Sequence, residues 1–429
     1  MKKLIFIFIF SLVCIQVECH PMPNSTVDLF VLEKDIKGEA KIPLIELANA
    51  VGEQQARDIY SRFLIKYFTE HIKAADKTGF WSTTIQEVKI TNAQDIIVGK
   101  YEEVIVQFTL TPTNTNYLRN FTLYYDAVLH QVITHSIIVS INQDWQNGIL
   151  NNENKTDIGI IKLDIPSGKI FPLHVQLEKG SSFKGFTKLF VLGTEHIKNG
   201  TDHLLFLIIL LLPALLVVNG KYWGKFTSTK NGIFRVAKIV TAFTIGHSIT
   251  LLLGALQWLK LPIQLVEVII AISILISAVH VLVPIFPTNE MYIASFFGLI
   301  HGLAFASVLS NLHLEYSTLI ISVFAFNMGI ECMQLFIVLL IIPWLILLSK
   351  TKFYTIFRII FGLISIVLSI AWVIERYSNE KNVIGSFTDT IPQNGFWYIL
   401  ILAIFSIIMY VLNLLGKNIV VNTNKKKYS

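Results

Sequence analysis

Beyond residue 203 the chain is built largely from apolar runs long enough to cross a bilayer, and this limits its second half to a bundle of membrane helices. A hydrocarbon core about 30 Å thick is spanned by roughly 20 helical residues. In lipid only a helix or a closed barrel satisfies every backbone N–H and C=O. The segments of spanning length run approximately Leu204–Val218, Phe234–Leu256, Pro262–Phe286, Met291–Leu309, Leu319–Leu348, Ile356–Ile374 and Phe396–Leu415. The first is short, and its helix is expected to begin earlier, near Phe190, with polar residues turned towards protein. Hydrophobic residues make up 53% of the chain and charged residues only 15%, against about a quarter charged in a soluble domain.

A second apolar run, Leu4–Val17, follows Lys2 and Lys3 and is too short for a comfortable span. It reads as a signal peptide over residues 1–19, with Val17 and Cys19 small enough for the cleavage positions. His20 then becomes the mature N-terminus and opens His-Pro-Met-Pro, where amine and imidazole together suit a metal. Residues 20–185 are polar enough for an exported soluble domain. Val27–Leu32, Glu102–Thr111, Phe121–Leu129, Ser136–Ile141 and Ile158–Leu163 are rich in β-branched and aromatic residues and read as strands. Gln54–Ala74 reads as one amphipathic helix with Ile59, Phe63, Tyr67 and His71 on one stripe. His71, His130, His135 and His174 are scattered through this domain and read as structural. The cysteines are Cys14, Cys19 and Cys332, so the exported domain has no disulfide to form.

The expected architecture is a multi-domain membrane protein, a β-rich (α+β) exported domain followed by an all-α bundle of seven transmembrane helices at 186–416 and a basic tail at 417–429. Orientation follows from Lys and Arg. Lys221, Lys225, Lys230, Arg235 and Lys238 fill the first loop, Lys350, Lys352 and Arg358 flank a later one, and Lys417, Lys425, Lys426 and Lys427 mark the tail. The alternate loops are poor in positive charge, or hold Arg376 and Lys381 offset by acids. Seven crossings with an exported N-terminus put the basic regions and the C-terminus in the cytoplasm. The net charge of +6 therefore reads as topology. Without a basic stripe or nucleic-acid motif, no nucleic-acid partner is expected.

A charge at the bilayer centre costs roughly 3 kcal/mol on insertion scales, so polar residues at that depth are candidates for function. His196 and His203 stand i,i+7 with Gly200 between them in projection, and Asp202 lies about 100° round the helix. Two imidazoles and a carboxylate suit a first-row divalent metal. Alternatively, Asp202 holds a ligating imidazole in the correct tautomer. The second helix carries Thr244, His247 and Ser248. The third carries Glu267 near its exported end and His280 near the other. The fourth sets His301 in a Gly298/Gly302/Ala306 repeat that allows close helix approach. The fifth carries Asn327, Glu331 and Gln334 as one polar stripe, with His247 and His301 the expected partners of Glu331 by depth.

The motifs His196-x5-Asp202-His203, Phe243-Thr-x-Gly-His247-Ser248-x-Thr250, Phe297-Gly-x-x-His301-Gly302 and Phe326-Asn327-x-Gly329-x-Glu331 resemble the HupE/UreJ group of membrane proteins, as does His-Pro-Met-Pro-Asn-Ser at 20–25. The resemblance covers most of residues 190–340. Leu303-Ala-Phe-Ala follows the His-Gly pair where better-studied members carry further His and Glu. The resemblance implies a multi-pass cell-membrane protein that handles nickel or cobalt, with zinc also compatible. His196, Asp202, His203, His247, Glu267, His301, Asn327 and Glu331 are the expected metal residues, with His20, Ser248, His280 and Gln334 as secondary candidates. A nickel/cobalt permease is the leading expectation. A zinc-dependent intramembrane hydrolase, or a receptor or assembly factor whose exported domain binds a partner protein, are the alternatives.

Overall fold

The computed structural model describes residues 22–150, 155–312, 314–388 and 390–427, with side chains to 415. The leader at 1–19, His20 and the basic side chains of the tail lie outside the described residues. The chain forms two compact units, Met1–Ser181 and Ser182–Ser429.

The N-terminal unit is β-rich. Its elements are β1 (Ser25–Val31), β2 (Ile36–Pro43), α1 (Leu44–Val51), α2 (Glu53–Arg57), α3 (Arg62–His71), β3 (Ile72–Asp76), β4 (Gly79–Phe80), β5 (Ser82–Asp95), β6 (Gly99–Thr111), β7 (Asn120–Tyr125), β8 (Ser136–Asp144), β9 (Thr156–Asp164), β10 (Lys169–Ile170) and β11 (Leu173–Gln176). One sheet runs β10-β9-β8-β1-β2-β6-β5 and a second runs β11-β7-β3-β4. β1 pairs parallel with β8 and antiparallel with β2. Alternation sets the core face: Val27 and Leu29 on β1 and Ile36, Ala40 and Ile42 on β2 are fully buried. Gly38 leaves on β2 the space that the Phe108 ring of β6 fills.

Two local expectations are corrected. Gln54–Ala74 is not one helix. The chain breaks between α2 and α3, where the Ser61 hydroxyl accepts the Leu64 N–H at 3.4 Å as an N-cap, and from Ile72 onward it is strand. The strand expected over Phe121–Leu129 stops at Tyr125, because the loop after it holds Val128 at φ 69, which a β-branched residue rarely adopts. The Tyr67 hydroxyl accepts the Val128 N–H at 2.9 Å and holds this loop, while burial pushes the Tyr67 phenol up to about 12. Tyr67→Phe leaves a buried N–H unpaired and is expected to cost about 1–3 kcal/mol, read as faster hydrogen exchange in the loop after β7.

His71 and His130 are brought together here. Their rings stack at 4.4 Å, and His71 Nδ1 lies 2.7 Å from Asp126 Oδ1. His135 is buried, and its Nε2 accepts from the Ser25 hydroxyl at 2.7 Å and the Ser25 N–H at 3.3 Å. Burial lowers its pKa from 6.5. Below that value the unfolded chain takes up a proton that the native imidazole resists. Stability is therefore expected to fall as pH drops below about 6.5, levelling off below the native pKa. His135→Gln should flatten this acid limb in hydrogen exchange of β1 within the full chain.

The second unit is helical. It comprises α4 (Ser182–Asn199), α5 (Thr201–Ala214), a hairpin of β12 (Leu216–Asn219) and β13 (Tyr222–Phe226), then α6 (Thr229–Ala255), α7 (Ile263–Leu282), α8 (Glu290–Ser310), α9 (Tyr316–Ser349), α10 (Phe353–Ser378), α11 (Val383–Thr388) and α12 (Gly395–Lys427). Among the described residues six helical stretches are long and apolar enough to cross a membrane, seven if the bent pair α4/α5 forms one span. The segment expected over Leu204–Val218 ends as helix at Ala214, and the chain then enters the hairpin.

Glycines set the closest helix contacts. A Cβ at Gly298 or Gly302 of α8 would overlap the carbonyl oxygens of Phe243 or His247 on α6, and one at Gly246 would overlap that of Ser295. Gly193 and Gly329 bring α4 and α9 together in the same way, against the carbonyls of Phe326 and Phe190. These two pairs place the polar residues of four helices side by side.

Candidate metal centre

The His196-x5-Asp202-His203 motif straddles a helix break. α4 ends at Asn199, α5 begins at Thr201, and the two are bent by 71°. Gly200 fits there because a Cβ would crowd His203 Nδ1 and the His196 carbonyl. On an unbroken helix the two histidines would stand about 10.5 Å apart along the axis. The bend instead brings their ring centroids to 4.6 Å. A shared face of a continuous helix, the geometry expected from sequence, is thus replaced by a corner, a common place for binding groups in membrane folds.

His301 of α8 joins them, 5.6 Å from His203 between ring centroids. Phe206 and Phe243 each lie 5.2 Å from the His301 ring, and Phe305 lies 4.8 Å from that of His196. Three imidazoles from three helices therefore meet in an aromatic enclosure. His247 lies beyond Phe243, its ring 6.1 Å from that of the phenylalanine.

Hydrogen bonds fix which nitrogen of the His301 and His247 rings is free. His301 Nδ1 lies 2.8 Å from the Phe297 carbonyl, which can only accept, so Nδ1 carries the proton. His247 Nδ1 lies 3.1 Å from Asn327 Oδ1. The Asn327 amide is oriented because its Nδ2 donates to the Val323 carbonyl at 2.9 Å. The Nε2 atoms of both His247 and His301 are buried without a hydrogen-bond partner among the described residues. A neutral imidazole held this way presents a bare lone pair, which is what a metal takes.

Asp202 occupies a supporting position. Its Oδ1 lies 2.9 Å from His203 Nδ1 and its Oδ2 3.2 Å from Arg376 Nη2. Of the two roles open from sequence, this contact is that of a carboxylate orienting an imidazole.

Residues 174–376 match the family described as HupE / UreJ protein. This stretch of the chain is a HupE/UreJ domain. No curated protein and no solved structure matches the chain.

The remaining candidates of the HupE/UreJ domain fall in different places. Thr244 and Gln334 are in contact at 3.2 Å, one turn from His247 and two from Asn327, and the Ser248 hydroxyl donates to the Thr244 carbonyl at 2.8 Å. Glu331 is half-buried on α9, and among the described residues it forms no hydrogen bond or ion pair with His247 or His301. Instead His247 Nδ1 faces Asn327, one turn earlier on α9, and His301 Nδ1 faces the Phe297 carbonyl. Glu267 is 45% exposed and lies 3.9 Å from Arg376, not against an imidazole. His280 has the opposite tautomer. Its Nδ1 accepts the Ile285 N–H at 3.1 Å, its ring stacks on Phe286 at 3.9 Å, and the proton on Nε2 closes that nitrogen to a metal. This contact ties the turn that follows α7 back to the helix.

Arg376 is the residue that sequence reasoning passed over. It reads as a loop charge balanced by acids, yet its guanidinium reaches Asp202. Its one local signal is its position four residues after Trp372, whose ring it overlies at 5.7 Å.

Proposed function

We propose that the HupE/UreJ domain is a permease for a divalent transition cation, nickel or cobalt. The observation that carries this reading is the gathering of four imidazoles from four helices, His196, His203, His301 and His247, two of them with buried Nε2 atoms that have no hydrogen-bond partner among the described residues. His196, His203 and His301 would capture the cation, and His247, Asn327 and the Thr244–Gln334 pair would take it further through the bundle. A conduction path needs sites strong enough to admit an ion and weak enough to release it.

Among the described residues no three His, Cys, Asp or Glu side chains stand in a geometry that could hold a metal ion. A resident hydrolytic zinc needs three protein ligands and an open position, and turnover lost on chelation would distinguish hydrolysis from transport. Nickel, cobalt and zinc all accept imidazole, and competition among them in uptake assays would rank them.

In this reading the bent α4/α5 pair is the first of seven crossings, the N-terminal unit is exported, and the loops holding Lys221–Lys238 and Lys350–Arg358 face the cytoplasm. The deciding experiment measures uptake of radioactive nickel and cobalt in cells with the protein, without it, and with His203→Ala. Uptake is expected to depend on the protein and to fall about 10-fold or more in the variant. Equal uptake in all three strains would dispose of the permease.

A further inference from the structure

We infer that Arg376 is a built-in competing cation that withholds Asp202 from the transported ion and keeps binding at the histidine cluster weak enough for release. This rests on the permease reading above and adds a residue that sets affinity.

The guanidinium sits at the end of α10 among groups from two other helices. Nη2 is 3.2 Å from Asp202 Oδ2 on α5. Nε is 3.9 Å from Glu267 Oε2 on α7. The position is fixed from behind, because Gln264 Nε2 donates to the carbonyls of Arg376 and Tyr377 at 3.1 and 3.0 Å. The side chain is 22% exposed, and its Nη1 is buried with no hydrogen-bond partner among the described residues. A guanidinium stays charged in any such setting, so this end of the bundle holds a permanent positive charge.

The consequence follows from Asp202. One of its oxygens faces the His203 ring and backbone N–H, and the other faces Arg376. A carboxylate engaged on both oxygens orients His203 but has little left to offer an ion. A divalent cation on the His203 ring would also stand one residue away from a fixed like charge. Both effects lower affinity. Without Arg376, Asp202 would be free to join the imidazoles, and the site would change from a relay into a trap. Glu267 partly neutralises the guanidinium, so removing it should act in the opposite direction.

The test measures equilibrium binding of Ni²⁺ to the purified full-length chain in detergent, by dialysis and metal analysis. Folding is checked by gel filtration. Arg376→Gln is expected to bind Ni²⁺ about tenfold or more tightly than the unaltered protein while its maximal uptake rate falls. Arg376→Lys, which keeps the charge, should stay within a few-fold of the unaltered protein. Glu267→Gln, at an exposed position, should bind several-fold more weakly, and it provides a readout even where Arg376→Gln does not fold. A merely structural role for Arg376 would weaken binding in Arg376→Gln and leave Glu267→Gln unchanged. Unchanged or weaker binding in folded Arg376→Gln overturns the inference, as does unchanged or tighter binding in Glu267→Gln. Both results leave the permease reading standing. Absence of Ni²⁺ binding by the unaltered protein would remove the two together.

Discussion

Gly302→Val is expected to abolish metal uptake and to destroy the single gel-filtration peak of the purified protein. The α6–α8 contact is made backbone to backbone, and even a Cβ at residue 302 would overlap the His247 carbonyl and the Thr250 hydroxyl. A side chain can change rotamer to relieve such a clash, whereas a helix backbone must move as a whole. The cost should exceed the roughly 1–3 kcal/mol typical of overpacking among side chains. Because His247 and His301 lie on the two helices driven apart, any protein that still folds would lose the register between them. Gly302→Ala should lie between the two, with reduced thermal stability and residual uptake. If Gly302→Val retains its elution profile and its transport, the close approach of these helices is not what organises the site.

The second large effect is expected at Asn327. This residue is proposed to act through His247, by accepting its Nδ1–H and so leaving the Nε2 lone pair bare. Asn327→Leu keeps the branching at Cγ but removes the acceptor, and the proton can then move to Nε2 and block the cation. Loss of an orienting partner of this kind typically costs 10–100-fold in metal affinity, and nickel uptake should fall by a similar factor. Asn327→Asp retains an oxygen at the same place and should keep most of the uptake. Equal uptake by the leucine and aspartate variants would show that the tautomer of His247 is not held by this contact.

The membrane part was readable in the chain because its signal is local. Long apolar runs and Gly-x-x-x-Gly spacing depend on a few neighbouring residues, and the helices α6 to α10 overlap the expected spans closely. The β-rich character of the N-terminal unit was legible for the same reason, from β-branched and aromatic runs such as those in β6 and β8. Strands β2 and β5 were passed over, since their interspersed Lys, Glu and Gln dilute the pattern. The helix read over Gln54–Ala74 failed because periodicity cannot show a cap at Ser61.

The identities of the polar residues at membrane depth, and their order along the chain, are properties of the sequence alone. Which of them touch was decided by tertiary structure. The 71° bend at Gly200 folds His196 onto His203, a contact that an ideal helix with the same residues would not make. Asn327 takes His247 in place of Glu331, and Arg376 reaches Asp202 across 174 residues. Such pairings depend on how helices pack, and packing is set by close-contact surfaces contributed by several helices at once. No window on the sequence contains that information.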